Sequence, residues 1–157
     1  MISIIAAIGK NNELGKGNDL VFHLKEDMKY FRETTAGHIV AMGRKTWESL
    51  PGKLKNRTNI VFSRHEVEGA DESVSDIETF AKKYQDTEEE IFIIGGGTIY
   101  SAFLPYAKHL YLTEIDASAE DADTFFPQFD KSKYRRTIIK KGSDHGINYS
   151  IVKYTKL

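Results

Sequence analysis

The sequence predicts an α/β fold, a single domain on a mixed, mostly parallel sheet that ends in a C-terminal antiparallel hairpin. Three observations predict it. Short apolar runs with little alternation, at residues 1–8, 38–42, 59–62 and 91–94, have the pattern of strands covered on both faces. Segments of helical periodicity separate these runs, starting near Leu24, Trp47, Ser75 and Thr98. Residues 134–141 and 149–155 alternate and are joined by a turn over 142–148, the signature of a hairpin. A chain of 157 residues with 40% hydrophobic content suits one domain with a proper core.

The first run contains Ile2, Ile4, Ile5, Ala6, Ala7 and Ile8 and is expected in the middle of the sheet. The polar stretch that follows, GKNNELGKGN over residues 9–18, reads as a mobile loop. Leu20, Val21 and Phe22 at its far end would be wastefully exposed unless they cover something, so the loop is read as a lid over the end of the first strand. From Leu24 the pattern is helical, and Leu24, Met28 and Phe31 share a face. Asp27 falls on that apolar face. A carboxylate there is costly unless it has a partner or a ligand, and either a structural acid or a functional one would satisfy the pattern.

The second run ends in Gly43-Arg44-Lys45-Thr46 before a short helix that Pro51 and Gly52 close. Strand, glycine, cations and hydroxyl arrive in an order that suits a phosphate group. The third run, 59–62, ends in Ser63-Arg64-His65, again polar and basic. Ser75 with Glu78 has the spacing of a capping box, ahead of a buried stripe of Ile77, Phe80, Ala81 and Tyr84. The acidic residues 86–90 read as a solvated turn.

Residues 91–100, IFIIGGGTIY, organise the chain. A buried strand breaks at Gly95, Gly96 and Gly97, where the backbone can take positive φ and a ligand can lie against the peptide groups. The fingerprint G-x-G-x-x-G is absent, because Tyr100 stands at the third glycine's place, so a standard dinucleotide-binding unit is not supported. Pro105 ends the next helix, and residues 109–115 alternate as a further strand whose Thr113 could face a pocket. Glu114, Asp116, Glu120, Asp121 and Asp123 lack the order of a calcium loop and read as a wet acidic loop.

Composition narrows the class of function. A net charge of -1 gives no basic field for nucleic acid or an anionic membrane, which favours a small-molecule partner. Zero cysteines exclude disulfides and thiolate metal sites, and no metal is expected. The apolar start lacks a basic region and is too short for a signal peptide or a span, so a cytoplasmic protein is expected.

Taken together, SIIAAIG at the start, the lid, Asp27 with Phe31, MGRKTWESLP, Arg57, IIGGGTIY and LTEID resemble the bacterial dihydrofolate reductases along nearly the whole chain. The resemblance implies an eight-stranded sheet with four flanking helices, a monomer, and reduction of 7,8-dihydrofolate by NADPH. By resemblance, Asp27 holds the pterin and promotes protonation at N5, with Thr113 in support. Ile5, Ala6, Met28, Phe31, Leu54, Ile94 and Tyr100 would line the substrate site, and Arg57 would clamp the glutamate α-carboxylate. The cofactor would meet Ala6, Ala7, Leu14 and Leu20 at the nicotinamide, with Gly15 and Asn18 also binding it. Gly43, Arg44, Lys45, Thr46, Ser63, Arg64, Ile94, Gly95, Gly96, Gly97, Thr98, Ile99 and Tyr100 resemble the remaining cofactor-binding positions. Val21-Phe22 departs from the family's usual Pro-Trp, which removes an indole N–H, and the loop 116–123 is one residue longer than usual. A pyrimidine reductase of riboflavin synthesis shares the fold and the glycine turn but does not explain Asp27 with Arg57. A nucleotide-binding module without catalysis would need only the glycine turn and the basic loops.

Overall fold

The computed structural model describes residues 1–17 and 19–157. In chain order the strands are β1 (Ile2–Ile8), β2 (Glu13–Lys16), β3 (Asp19–Leu20), β4 (Ile39–Gly43), β5 (Thr58–Phe62), β6 (Glu72–Val74), β7 (Ile91–Ile93), β8 (His109–Ile115), β9 (Thr124–Phe125), β10 (Tyr134–Asp144) and β11 (Ile147–Lys156). The α-helices among the described residues are α1 (Lys25–Thr35), α2 (Arg44–Ser49), α3 (Ile77–Tyr84) and α4 (Gly97–Phe103). None of them is long and apolar enough to cross a membrane.

Eight strands form one sheet in the order β10-β11-β8-β1-β7-β4-β5-β6. From β8 to β6 every neighbouring pair is parallel, and β11 and β10 add the antiparallel hairpin. The centre is where the apolar runs put it. Ile2 pairs with Ile91 and Ile4 with Ile93, and all four are fully buried. On their face of the sheet they pack with Ala41, Ile60 and Leu110, beneath Phe80 and Ala81 of α3 and Phe103 of α4. On the opposite face Ile5, Val40, Met42, Val61 and Phe92 meet Phe31 of α1 and Trp47 of α2. Each such large side chain contributes roughly 1.5–3 kcal/mol on burial, so strands covered twice hold the fold. The parallel strands also deliver their carboxyl ends to one edge of the sheet, where polar residues follow.

Several local expectations change. Residues 9–17 are not a bare loop, because β2 pairs with β3 and with β9 in a separate three-stranded sheet. Its strands are too short and polar to announce themselves, as is β6. Asp76, not Ser75, caps α3, accepting from the Thr79 amide at 3.1 Å. The final hairpin is longer than its periodicity suggests, since His145 and Gly146, with φ of 50° and 79°, suffice for the turn. Residues 86–90 are more than a solvated turn, for Glu90 accepts hydrogen bonds from the hydroxyls of Ser3 (2.5 Å) and Tyr111 (3.4 Å). Glu114 likewise belongs to β8 and binds Arg136 and Tyr154, whose hydroxyl burial and the neighbouring carboxylate push up to about 12.

One buried polar side chain shapes the segment before β5. Asn59 is fully buried, and its amide accepts from the Leu54 N–H (3.0 Å) and donates to the carbonyls of Leu54 (2.8 Å) and Arg57 (3.1 Å). It thereby folds residues 54–57 back on the strand. Asn59→Ala strands these backbone groups, and a loss of about 1–3 kcal/mol in unfolding free energy is expected. Urea denaturation checks this, with the midpoint lowered at unchanged slope. A midpoint equal to the parent's would mean that the turn holds itself.

Candidate active site

The edge formed by the carboxyl ends of β1, β4, β5, β7 and β8 collects most residues singled out in the sequence. Asp27 sits in the first turn of α1, and Thr113 stands on β8 beside Ala7 of β1. The Thr113 hydroxyl donates a short hydrogen bond to Asp27 Oδ1. Burial raises the carboxyl pKa above the ordinary range, and this hydrogen bond offsets only part of the rise. Half-buried and oriented from one side, the acid keeps Oδ2 for a donor entering from the cleft.

The walls beside it are apolar. Ile5, Phe31, Leu54 and Ile94 converge on one cluster, together with Trp47 and Tyr111. Tyr100 of α4 is buried and donates its hydroxyl to the Ile5 carbonyl at 2.8 Å, and burial followed by the charge of Asp27 pushes its pKa up. Met28 differs from its neighbours in being 43% exposed, although it follows Asp27 on α1.

Arg57 lies at the other end of the same helix. Its Nη1 donates to Thr35 Oγ1 (3.1 Å) and its Nε to the Lys55 carbonyl (2.9 Å), which fixes the plane of the guanidinium. Thr35 itself is anchored to the Phe31 carbonyl at 2.8 Å. Partial burial and then the nearby Arg32 lower the Arg57 pKa, though a guanidinium stays charged. The rise of an α-helix places Asp27 and Thr35 roughly 12 Å apart along the axis. A ligand that reaches both must be elongated, with donors at one end and an anion at the other.

A second group flanks this cleft. The Gly43 amide donates to the Gly95 carbonyl at 2.8 Å, and β4 pairs with β5 up to Gly43 and Phe62, so the glycine turn, the start of α2 and Ser63 are adjacent. Gly95 has φ of 134° and is joined to Gly96 by a cis peptide bond. Gly95 has a φ that L residues rarely adopt, and a Cβ there would also stand 3.2 Å from Thr46 Oγ1, while one on Gly43 would stand 2.9 Å from Ile99 Cγ1 and force that side chain to shift. Ser63, Arg64, His65, Glu66, Ser73 and Ser75 line an open polar groove of about 330 Å³ beyond β5 and β6. Arg44, Lys45, Arg64 and Thr98 are exposed on this side, with Arg44 3.9 Å from Glu48.

The segment read as a lid is tied to the loop after β8 by β9 and Asp123. Leu14 is buried in the main core, Gly15 pairs with Leu20, and Leu20 is 47% exposed. Asp123 accepts from the Gly17 amide (2.9 Å), and its own amide donates to the Gly15 carbonyl (2.9 Å). Phe22 packs with Leu24, Ile115 and Tyr149. Ala6 and Ala7 are partly buried, and Asn18 lies outside the described residues. Asn59 and the buried Glu13 hold loop backbone, a role that sequence reasoning missed, because nothing in their flanking pattern marks them. A larger groove of about 670 Å³ runs between Glu114 and the hairpin, lined by Lys141, Ser143, Asn148 and Tyr149. Its acids are Glu114 and Asp116, and neither Asp27 nor the glycine turn lines it.

Residues 1–156 match the family described as Dihydrofolate reductase. The chain is 38% identical over 165 residues to the dihydrofolate reductase of Bacillus subtilis (strain 168), covering 99% of this chain and 95% of that protein. It is 41% identical over 159 residues to that of Neisseria gonorrhoeae, covering 98% and 96%. The dihydrofolate reductase HdrB of Haloferax volcanii is 35% identical over 165 residues, with 98% and 82% covered.

The raised pKa of Asp27 has a consequence for stability. The folded state holds its proton to higher pH than the unfolded chain, so ionising Asp27 costs stability as pH rises from the unfolded value through the folded one. Asp27→Asn is expected to be more stable than the parent near neutral pH, with the advantage shrinking to nothing under acid conditions where Asp27 is protonated. Thermal unfolding of both proteins across that range checks it, and a less stable variant at neutral pH would contradict the burial argument.

Proposed function

The chain belongs to the dihydrofolate reductase family and reduces dihydrofolate with a nicotinamide cofactor, and from that premise we propose that Asp27 is its catalytic acid and NADPH its cofactor. The observation that carries the residue assignment is the Asp27 carboxylate, held by Thr113 in an apolar cleft at one end of α1, with Arg57 fixed at the other end. When bound, the cofactor supplies a hydride from nicotinamide C4 to pterin C6. The protein's part is to hold the two rings together and to favour a proton at N5.

Asp27 Oδ2 would accept from the pterin's amino and ring N–H groups, an arrangement that a neutral side chain cannot match in strength. Its negative charge favours the protonated pterin, and its raised pKa brings the acid closer to neutral working pH. Ile5, Ala6, Met28, Phe31, Leu54, Ile94 and Tyr100 would exclude water around the ring, which strengthens that interaction. Arg57 presents a planar fork to the glutamate carboxylate. On the cofactor side, a Cβ built on Gly96 would have Thr46 Oγ1 no nearer than 3.6 Å, room that suits a pyrophosphate against the backbone, and the open polar groove by Ser63 and Arg64 suits a ribose phosphate. Gly43 to Thr46, Thr98 and Ile99 would flank the phosphates, and Ala7, Leu14, Gly15, Asn18 and Leu20 the nicotinamide. All these groups come from one chain, in keeping with a monomer, and the cysteine-free composition suits the cytoplasm. A pyrimidine reductase or a non-catalytic nucleotide binder would have no use for the pairing of Asp27 with Arg57 across α1.

Mixing the protein with NADPH and dihydrofolate, and following the loss of nicotinamide absorbance, tests the reading. Asp27→Asn should lower kcat/KM by roughly 10² to 10⁴ at neutral pH. The variant's rate should keep increasing as pH falls, because solvent protons then load the substrate, while the parent levels off below the Asp27 pKa. Near-parental activity in Asp27→Asn would make Asp27 a structural acid. The cofactor assignment has its own test. Arg44→Ala with Arg64→Ala should remove most of the preference for NADPH over NADH in kcat/KM, and an unmodified protein indifferent to the two cofactors would refute it.

A further inference from the structure

Glu13 is a buried carboxylate in the lid. Its side chain is 1% exposed, yet no cation balances it among the described residues: Lys10 pairs with Asp116 and Lys16 with Asp121, each at 3.0 Å. Both oxygens are instead held by peptide amides. Oε1 accepts from the Asn11 N–H at 2.7 Å, and Oε2 accepts from the Ala119 N–H at 2.6 Å. The two donors belong to different segments, the lid itself and the loop that follows β8. Gly9 completes the enclosure, for a Cβ there would lie 2.5 Å from Glu13 Oε1, 2.8 Å from Phe22 Cε2 and 2.9 Å from the Ala117 carbonyl. The end of β1, both ends of the lid and the loop after β8 therefore meet around one carboxylate.

We propose that Glu13 is a positioning residue of the lid, whose carboxylate latches β2 to the loop at Ala119 and so sets how Leu14, Gly15 and Leu20 are presented to the nicotinamide. This rests on the functional reading above. A carboxylate is needed because both oxygens must accept, and an amide would set its NH₂ against one of two N–H donors. The link between Asp123 and Gly17 runs the other way, from the loop to a lid amide, and is exposed to solvent. The Glu13 latch is buried, where a charge-assisted hydrogen bond is stronger and its loss is felt more. Burial would raise the Glu13 pKa, but the amide hydrogen bonds outweigh it and hold the group below its ordinary value, so the latch stays charged at neutral pH.

Glu13→Gln keeps the shape and removes one acceptor. The expected result is a rise of about tenfold in both KM and Kd for NADPH, with KM for dihydrofolate within twofold of the parent. Equal rises in both KM values, or a lowered melting temperature with unchanged kinetics, would make Glu13 merely structural and overturn the proposal. Amide hydrogen exchange on the parent gives an answer independent of the variant's folding and of any cofactor. Asn11 and Ala119 should be protected, and exchange at the rates of an unstructured peptide would overturn the latch. Failure of the parent to bind NADPH at all would instead defeat the functional reading, and would be seen before any variant is made.

Discussion

The bond between Thr113 and Asp27 ties a helix to a sheet at the point where the strands end. It requires α1 to lie across β8 with its first turn at the strand's carboxyl half, and that requires Leu24 and Phe31 to bury their side chains on this face. The helix has no side-chain cap of its own. Asp144, the last residue of β10, accepts from the Lys25 amide at 2.9 Å and supplies what Leu24 cannot. The position of the acid thus depends on the last hairpin in the chain as well as on the core.

A carboxylate fixed in this way is a compromise between two energies. Deeper burial would keep it protonated at all relevant pH, and full exposure would leave it with an ordinary pKa and little influence on a neighbouring ring. Half-burial with one strong donor holds it between those limits. Arg57 meets a similar demand by another route, since a guanidinium keeps its charge when partly buried and needs only orientation. Thr35 and the Lys55 carbonyl provide that orientation, and Asn59 holds the segment that carries the arginine.

Much of this was legible in the sequence, for reasons that vary by residue. Ile2 to Ile8 and Ile91 to Ile93 revealed the centre of the sheet because strands buried on both faces cannot alternate. Three adjacent glycines after a strand marked a turn of unusual backbone, and Gly95 there has φ of 134°. Asp27 stood out because an acid on an apolar helical face conflicts with its surroundings. Ser75 misled because capping chemistry is nearly the same one residue later, and Asp76 reaches the Thr79 amide from there. The small sheet of β2, β3 and β9 left no periodic trace in strands of two to four residues.

The residues that stayed hidden share a physical trait: Asn59, Glu13 and Asp144 each bind backbone groups, in two cases more than a hundred positions away along the chain. Peptide N–H and C=O groups carry no residue identity, so a side chain that recognises them leaves no partner to find in the sequence. Such contacts are costly when broken and indifferent to the partner's side chain, which suits loops whose other residues must be free to meet a ligand. In this molecule they occur where a loop borders the cleft: residues 54–57 below Arg57, the start of α1 below Asp27, and the lid at Ala119. Core packing places the strand ends, and side chains bound to distant backbone place the loops that surround them.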